Sequence, residues 1–217
     1  MEKPTSKTKV KRAPKRGHYD LATIKGILDS DFICHVGFIH EDYPVVIPTL
    51  YGRSENFVYL HGATASRMMK GLSSGLELCL TVTLVDGIVL ARSAFHHSMN
   101  YRSVVLFGKA TMVIDPEERM AALKALTDQV IPERWEEVRT PNEKEMKATT
   151  ILKIPIETAS AKIRAGGPND DKADYELDIW AGHIPIKRSL GEVIPDPLLE
   201  KTTNLSSAVV KLKQKEA

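Results

Sequence analysis

Polar and apolar positions along the 217-residue chain change their period several times. After Asp20, the residues Leu21, Ile24, Ile27 and Leu28 recur at three- and four-residue steps, the spacing of one helical face. Asp20 itself is a type that caps a helix start. From residue 32 the texture becomes that of strands: Phe32–Ile39, Val45–Tyr51 and Phe57–His61, separated by Glu41-Asp42, Gly52 and Ser54-Glu55-Asn56. Connections this short join antiparallel neighbours, because a parallel crossover needs about a dozen residues or more.

A helix is predicted over 64–72, where Ala65, Met68, Met69 and Leu72 share a face. Strands resume at 78–85, at 88–94 after Asp86-Gly87, and at 104–114; Asp86-Gly87 reads as a two-residue hairpin turn. Asp115-Pro116-Glu117-Glu118 opens another helix as cap, first-turn proline and first-turn acids, with Met120, Leu123, Leu126 and Val130 as its stripe. A last long strand is expected over 150–163, broken by Pro155. Beyond Gly166-Gly167-Pro168 the chain reads as loop, apart from Ile179-Trp180-Ala181-Gly182 and Ile184-Pro185-Ile186. The pattern predicts a mainly β, α+β fold: a small antiparallel barrel with peripheral helices. Residues 1–15 are expected as a disordered basic tail, 16–188 as the barrel domain, and 189–217 as an extension, loose or packed on a partner subunit.

Composition narrows this picture. A chain that is 42% hydrophobic and 27% charged is neither collagen-like nor wholly disordered. The formal net charge of +2 is uneven, since residues 1–16 hold seven Lys and Arg against Glu2 alone and the body is left net acidic. That basic segment has no interleaved aromatics and precedes no recognition motif, so specific nucleic-acid binding is not expected. Cys34 and Cys79 lie in separate apolar runs without metal-ligand or disulfide-framework spacing and read as buried hydrophobes. No apolar run approaches the ~18 residues of a membrane span, and no secretory h-region follows the first lysines. The expectation is a cytoplasmic protein with no membrane partner.

Two stretches carry candidate chemistry. In Leu60-His61-Gly62-Ala63-Thr64-Ala65-Ser66-Arg67 a strand turns into a helix whose start holds two hydroxyls and a guanidinium. Unpaired N–H groups there suit an anion such as a phosphate; a capped helix with a solvated arginine has the same spacing. The second stretch, 86–108, is dense in polar groups. Its His96-His97 pair has no carboxylate or cysteine at ligand spacing, so no metal site is expected. A GxSxG nucleophile elbow is absent.

Arg16-Gly17-His18-Tyr19-Asp20, Cys34-His35-Val36-Gly37-Phe38, Pro44-Val45-Val46-Ile47-Pro48-Thr49, Leu60-His61-Gly62-Ala63 with Ser66-Arg67, Asp86 through Ser93, and Asn100-Tyr101-Arg102-Ser103 through Gly108 occur in a consistent order. Together, over residues 16–188, they resemble the pyridoxamine 5′-phosphate oxidase-related flavin-nucleotide-binding proteins, and more narrowly the branch of the nitroimidazole-resistance (Nim) reductases. The resemblance implies an antiparallel split β-barrel homodimer with FMN at the subunit interface, FAD as the alternative and haem disfavoured. It implies that Ile47, Pro48 and Thr49 meet one edge of the flavin ring, that His61 and Gly62 lie beside the ribityl chain, and that Ser66 and Arg67 bind the phosphate. Tyr101, Arg102 and Ser103 would come from the second subunit, with Trp180 as an aromatic near the cofactor. His61 is the residue tied to reductase chemistry on a small-molecule substrate. Met68 stands where the oxidase has a phosphate-binding lysine, and the oxidase's C-terminal Arg-rich substrate motif is missing from 176–188. The implied activity is therefore an FMN-dependent, nitroreductase-like oxidoreductase rather than vitamin B6 oxidation. The alternative is a non-catalytic flavin or haem binding, storage or sensing protein.

Overall fold

The computed structural model describes residues 4–199 and 203–216, with side chains to residue 214. Residues 1–3 of the basic segment, and 200–202 and 217 of the C-terminal extension, lie outside the described residues. Ten strands form one antiparallel sheet in the order β1-β9-β6-β5-β2-β3-β4-β8-β7, with β10 also paired to β5. The strands are β1 (Gly17–His18), β2 (Ile33–His40), β3 (Tyr43–Ser54), β4 (Phe57–Ala63), β5 (Glu77–Leu90), β6 (Ser98–Lys109), β7 (Thr111–Met112), β8 (Thr149–Pro155), β9 (Ala159–Arg164) and β10 (Gly182–Pro185). The helices are α1 (Leu21–Leu28), α2 (Arg67–Ser73), α3 (Pro116–Val130), α4 (Glu143–Ala148) and α5 (Ser207–Glu216). The sheet curls around its core without closing, which is a split barrel.

Alternation sorts the strand residues. Val36, Phe38, Tyr51, Val58, Leu60, Leu78, Leu80, Val82, Val104, Leu106, Leu152 and Ile154 point inward and meet Ile24, Ile27 and Leu28 of α1 and Met68, Met69 and Leu72 of α2. A second cluster, Tyr59, Val113, Ala122, Leu126 and Ile151, lies between the outer face of β4 and β8 and helix α3. Caps are as the sequence predicts: Asp20 accepts from the Thr23 N–H at 2.8 Å and Asp115 from the Glu118 N–H at 2.8 Å. Gly52 is where α3 touches the sheet, because a Cβ there would stand 2.5 Å from the Leu126 nitrogen.

Several expectations are revised. Asp86-Gly87 is not a hairpin turn: β5 continues through it, with a register shift between Val85 and Gly87. Such a turn wants positive φ at its central residues, and neither residue adopts it. Gly87 instead admits β10, since its Cβ would lie 2.9 Å from the Ile184 carbonyl oxygen. The long strand at 150–163 is two strands on opposite sides of the sheet order, β8 beside β4 and β9 beside β6. Helix α2 begins at Arg67 rather than at residue 64. The described part of the basic segment lies on the body, with Thr8 buried, the Val10 N–H donating to the Tyr19 hydroxyl at 3.0 Å and Lys7 paired with Glu77 at 3.2 Å.

The extension also has structure. α5 docks on the turn at Arg134–Glu137, where the Glu137 carboxylate accepts from the Ser206 and Ser207 hydroxyls and from the Ala208 N–H. Among the described residues no helix is long and apolar enough to cross a membrane.

Candidate functional site

The sheet opens between β3 and β4. Their pairing runs from Ser54↔Phe57 to Tyr51↔Leu60 and stops, after which β3 stays with β2 and β4 with β8. The Tyr51 N–H donates to the Phe32 carbonyl at 3.1 Å, so the odd-numbered residues of β3 turn their backbone groups toward β2. By the two-residue period, Val46, Pro48 and Leu50 turn theirs to the open edge. Pro44 and Pro48 both fall in that even set, where a missing N–H removes no bond to β2. The open edge thus offers the N–H groups of Val46 and Leu50 and the carbonyls of Val46 and Pro48.

At the far side of the cleft β4 leads through a turn, Ser66 N–H to Ala63 carbonyl at 2.9 Å, into α2. Ser66 is the N-cap but its hydroxyl caps no N–H, and among the described residues the exposed Arg67 guanidinium hydrogen-bonds only to the Tyr43 hydroxyl, at 3.3 Å. No carboxylate neutralises Arg67 among the described residues. Met68 turns into the core, so the position of the oxidase lysine supplies no donor here.

Where the strands part, Leu50 and His61 line a cavity of about 280 Å³ closed by Leu123, Leu126, Thr127, Val130, Ile131 and Arg134. His61 Nδ1 is buried without a hydrogen-bond partner. Burial holds the His61 pKa below its ordinary value, because desolvation disfavours the charged ring. With its Nδ1 buried and unpaired, the ring has Nε2 left for a hydrogen bond.

The sequence profile described as pyridoxamine 5′-phosphate oxidase matches residues 20–163. The chain belongs to the pyridoxamine 5′-phosphate oxidase family. Among solved structures, the flavocytochrome Anf3 from Azotobacter vinelandii is 38% identical, with 97% of this chain and 98% of that chain covered and a TM-score of 0.91. The FAD and heme binding protein from Mycobacterium smegmatis is 31% identical over 90% of this chain and 96% of that one, with a TM-score of 0.87. A putative 5-nitroimidazole antibiotic resistance protein from Bacteroides thetaiotaomicron, 22% identical over 68% and 86% at a TM-score of 0.57, shares the fold. No curated protein matches by sequence.

Measured against this family, the sequence-predicted residues form two groups. Pro48 lies on the open edge of β3, and His61, Gly62, Ser66 and Arg67 lie at the end of β4 and the start of α2, the elements that flank the opening. Ile47 and Thr49 direct their backbone groups to β2, and Ile47 packs its side chain on the core, so Leu50 and Val46 are the edge residues that sequence reasoning missed. The alternation of Pro44 and Pro48 was the available signal. Gly62 allows Met69 to pack close, since a Cβ would lie 3.1 Å from its Cγ.

The second group sits elsewhere. β6, which carries Tyr101, Arg102 and Ser103, is separated from β3 by β5 and β2, about 14 Å at the usual strand spacing. Arg102 is engaged within its own chain by a two-pronged pair with Asp86, at 3.0 and 2.9 Å. Ser103 donates to the Lys162 carbonyl at 3.4 Å. Trp180 precedes β10 and is 68% exposed, with its ring over Gly182. One chain therefore does not bring the two groups together.

Proposed function

We propose that this chain binds a flavin nucleotide in the cleft between β3 and β4 and serves as a flavin-dependent oxidoreductase for a small molecule. The observation that carries the reading is the open backbone edge of Val46 and Pro48 on a strand whose Tyr43 hydroxyl meets Arg67, an arginine that no carboxylate neutralises among the described residues. That edge matches the alternating donors and acceptors of a flavin's pyrimidine ring, and Ser66 with Arg67 matches a phosphate. A bound flavin supplies one- or two-electron transfer. The chain's own work is to fix the ring edge, hold the phosphate, exclude water with Leu50 and the α3 wall, and place neutral His61 where Nε2 can take up or release a proton. FMN is the nucleotide proposed, with FAD as the alternative favoured by the name of the Mycobacterium smegmatis relative.

The separation of the two residue groups supports a homodimer in which Tyr101, Ser103 and Trp180 approach the partner's cleft. The outer face of β2 and β3 supports it too, since Ile33, Ile39 and Val46 leave large apolar area uncovered. A second reading adds haem, because the flavocytochrome from Azotobacter vinelandii and the FAD and heme binding protein from Mycobacterium smegmatis, each above 30% identity, carry a cytochrome or haem in their names. His61 is the proposed iron ligand: a neutral, otherwise unpartnered imidazole in an apolar cavity with Arg134 at its rim. Titration of the purified protein with FMN and FAD, followed by flavin fluorescence, tests the first reading; absence of quenching by either nucleotide overturns it. For the second, a Soret band in the native protein that His61→Ala abolishes while flavin binding survives is expected, and a Soret band that the variant retains refutes the assignment.

A further inference from the structure

At the end of the sheet opposite the β2–β5 pairing, the fold joins ligand-type side chains that lie far apart in sequence. After β5 the chain makes one 3-10 turn, Ala94–His96; after β9 it makes another, Lys172–Glu176. The two turns are locked together by Arg92 and Asp170. The Asp170 side chain is fully buried, accepts from the Arg92 N–H at 3.1 Å and pairs with the Arg92 guanidinium at 3.1 Å, while that guanidinium lies 4.8 Å over the Tyr175 ring.

On this frame one ligand atom each from His96, Asp171 and Asp174 lies within 4.8 Å of the others. His96 Nε2 stands 3.4 Å from Asp171 Oδ2. Zinc bonds of ~2.0–2.1 Å set neighbouring ligand atoms of a tetrahedron ~3.3–3.4 Å apart. Asp171 and Asp174 are three residues apart around a 3-10 turn, so their side chains stack on one face. Asp171 occupies the N-cap position, yet its carboxylate caps no N–H. Neither carboxylate has a Lys or Arg partner among the described residues. Two carboxylates held side by side repel, and a bound cation removes that repulsion. From sequence spacing His96 had no acidic neighbour; the return of the chain after β9 provides two.

We propose that His96, Asp171 and Asp174 form a binding site for a first-row divalent cation of the zinc class, with water completing the coordination. The imidazole favours zinc or cobalt over magnesium or calcium, which take all-oxygen sites. These residues lie on other elements than β3, β4 and α2, and the proposal does not rest on flavin binding. Its position just ahead of Trp180 and β10 makes the ion a clamp on the segment that leads to them.

The experiment is calorimetric titration of tag-free, chelator-stripped protein with Zn²⁺, with Co²⁺ absorption as a second probe. One equivalent of Zn²⁺ per chain is expected, with a rise in the thermal midpoint. His96→Ala and Asp174→Asn should each weaken binding at least ~10-fold, since even outer-shell partners of a metal cost that much. His97→Ala, whose ring Nδ1 lies 2.9 Å from the Ser93 carbonyl oxygen, should bind as the parent does. Absence of Zn²⁺ binding overturns the proposal, as does binding that His96→Ala and Asp174→Asn leave intact or that His97→Ala weakens equally. Should His96→Ala fail to fold, Asp171→Asn, which keeps shape and removes charge, decides.

Discussion

Replacing Gly52 by alanine probes the contact on which the candidate site depends. The added Cβ would meet the Leu126 nitrogen at 2.5 Å, the Ala125 carbonyl carbon at 2.7 Å and the Leu126 Cα at 2.7 Å. All three are helix backbone, so no rotamer change relieves the clash. Relief to ordinary contact requires α3 to back away by about 1 Å, and because overpacking typically costs 1–3 kcal/mol, a rigid helix places the cost at about 3 kcal/mol. For a domain of this size that corresponds to a fall of roughly 6–12 °C in the thermal midpoint, read by circular dichroism. The same displacement opens the cavity wall of Leu123, Leu126 and Val130 away from His61, so flavin affinity should fall alongside stability. A midpoint within about 1 °C of the parent would falsify the seating of α3 on β3, because the smallest clash cost in this range already exceeds that shift.

Arg67→Ala should weaken FMN or FAD binding ~10–100-fold, as expected from losing hydrogen bonds of ~1.5–3 kcal/mol to a charged group, while riboflavin affinity stays unchanged; equal loss for riboflavin would contradict the phosphate assignment. For His61 the sign follows from burial: the unfolded chain takes up a proton near the ordinary value of 6.5 while the folded ring resists it, so its contribution to stability is whole above that pH and is lost as pH falls below it. His61→Gln should therefore flatten the acid-side decline of the thermal midpoint, and parallel pH profiles for the two proteins would count against a buried neutral imidazole. Glu137, held down to about 2 by the Ser206 and Ser207 hydroxyls, tethers α5 at neutral pH. Glu137→Ala should make residues 203–214 the first site of limited proteolysis, and unchanged cleavage would refute the tether.

Local chemistry explains why part of this was legible in sequence. The caps Asp20 and Asp115, the inward alternation of Val36, Leu60 and Leu80, and the short turns between β2, β3 and β4 all act within a few residues, and each is realised. Asp86-Gly87 misled because its local preference for a hairpin turn is weaker than the pairing of β5 with β6 on one side and β10 on the other. Residues 150–163 misled because two strands of similar texture belong to different neighbours, a fact no window along the chain contains. The site divides in the same way. Ser66 and Arg67 stand out from strand-to-helix spacing and His61 from the family resemblance, whereas Leu50, Thr127 and Arg134 join His61 only through the packing of α3 on Gly52. The meeting of His96 with Asp171 and Asp174 depends wholly on the return of the chain after β9.

The central claim is that the open edge of β3 and the Arg67 end of α2 hold a flavin. An absorption spectrum of the protein as purified, with mass analysis of the small molecule released on denaturation, addresses it directly. The account predicts flavin bands and release of FMN or FAD in near one-to-one ratio with the chain. A colourless protein that also takes up neither nucleotide when refolded in their presence would contradict it.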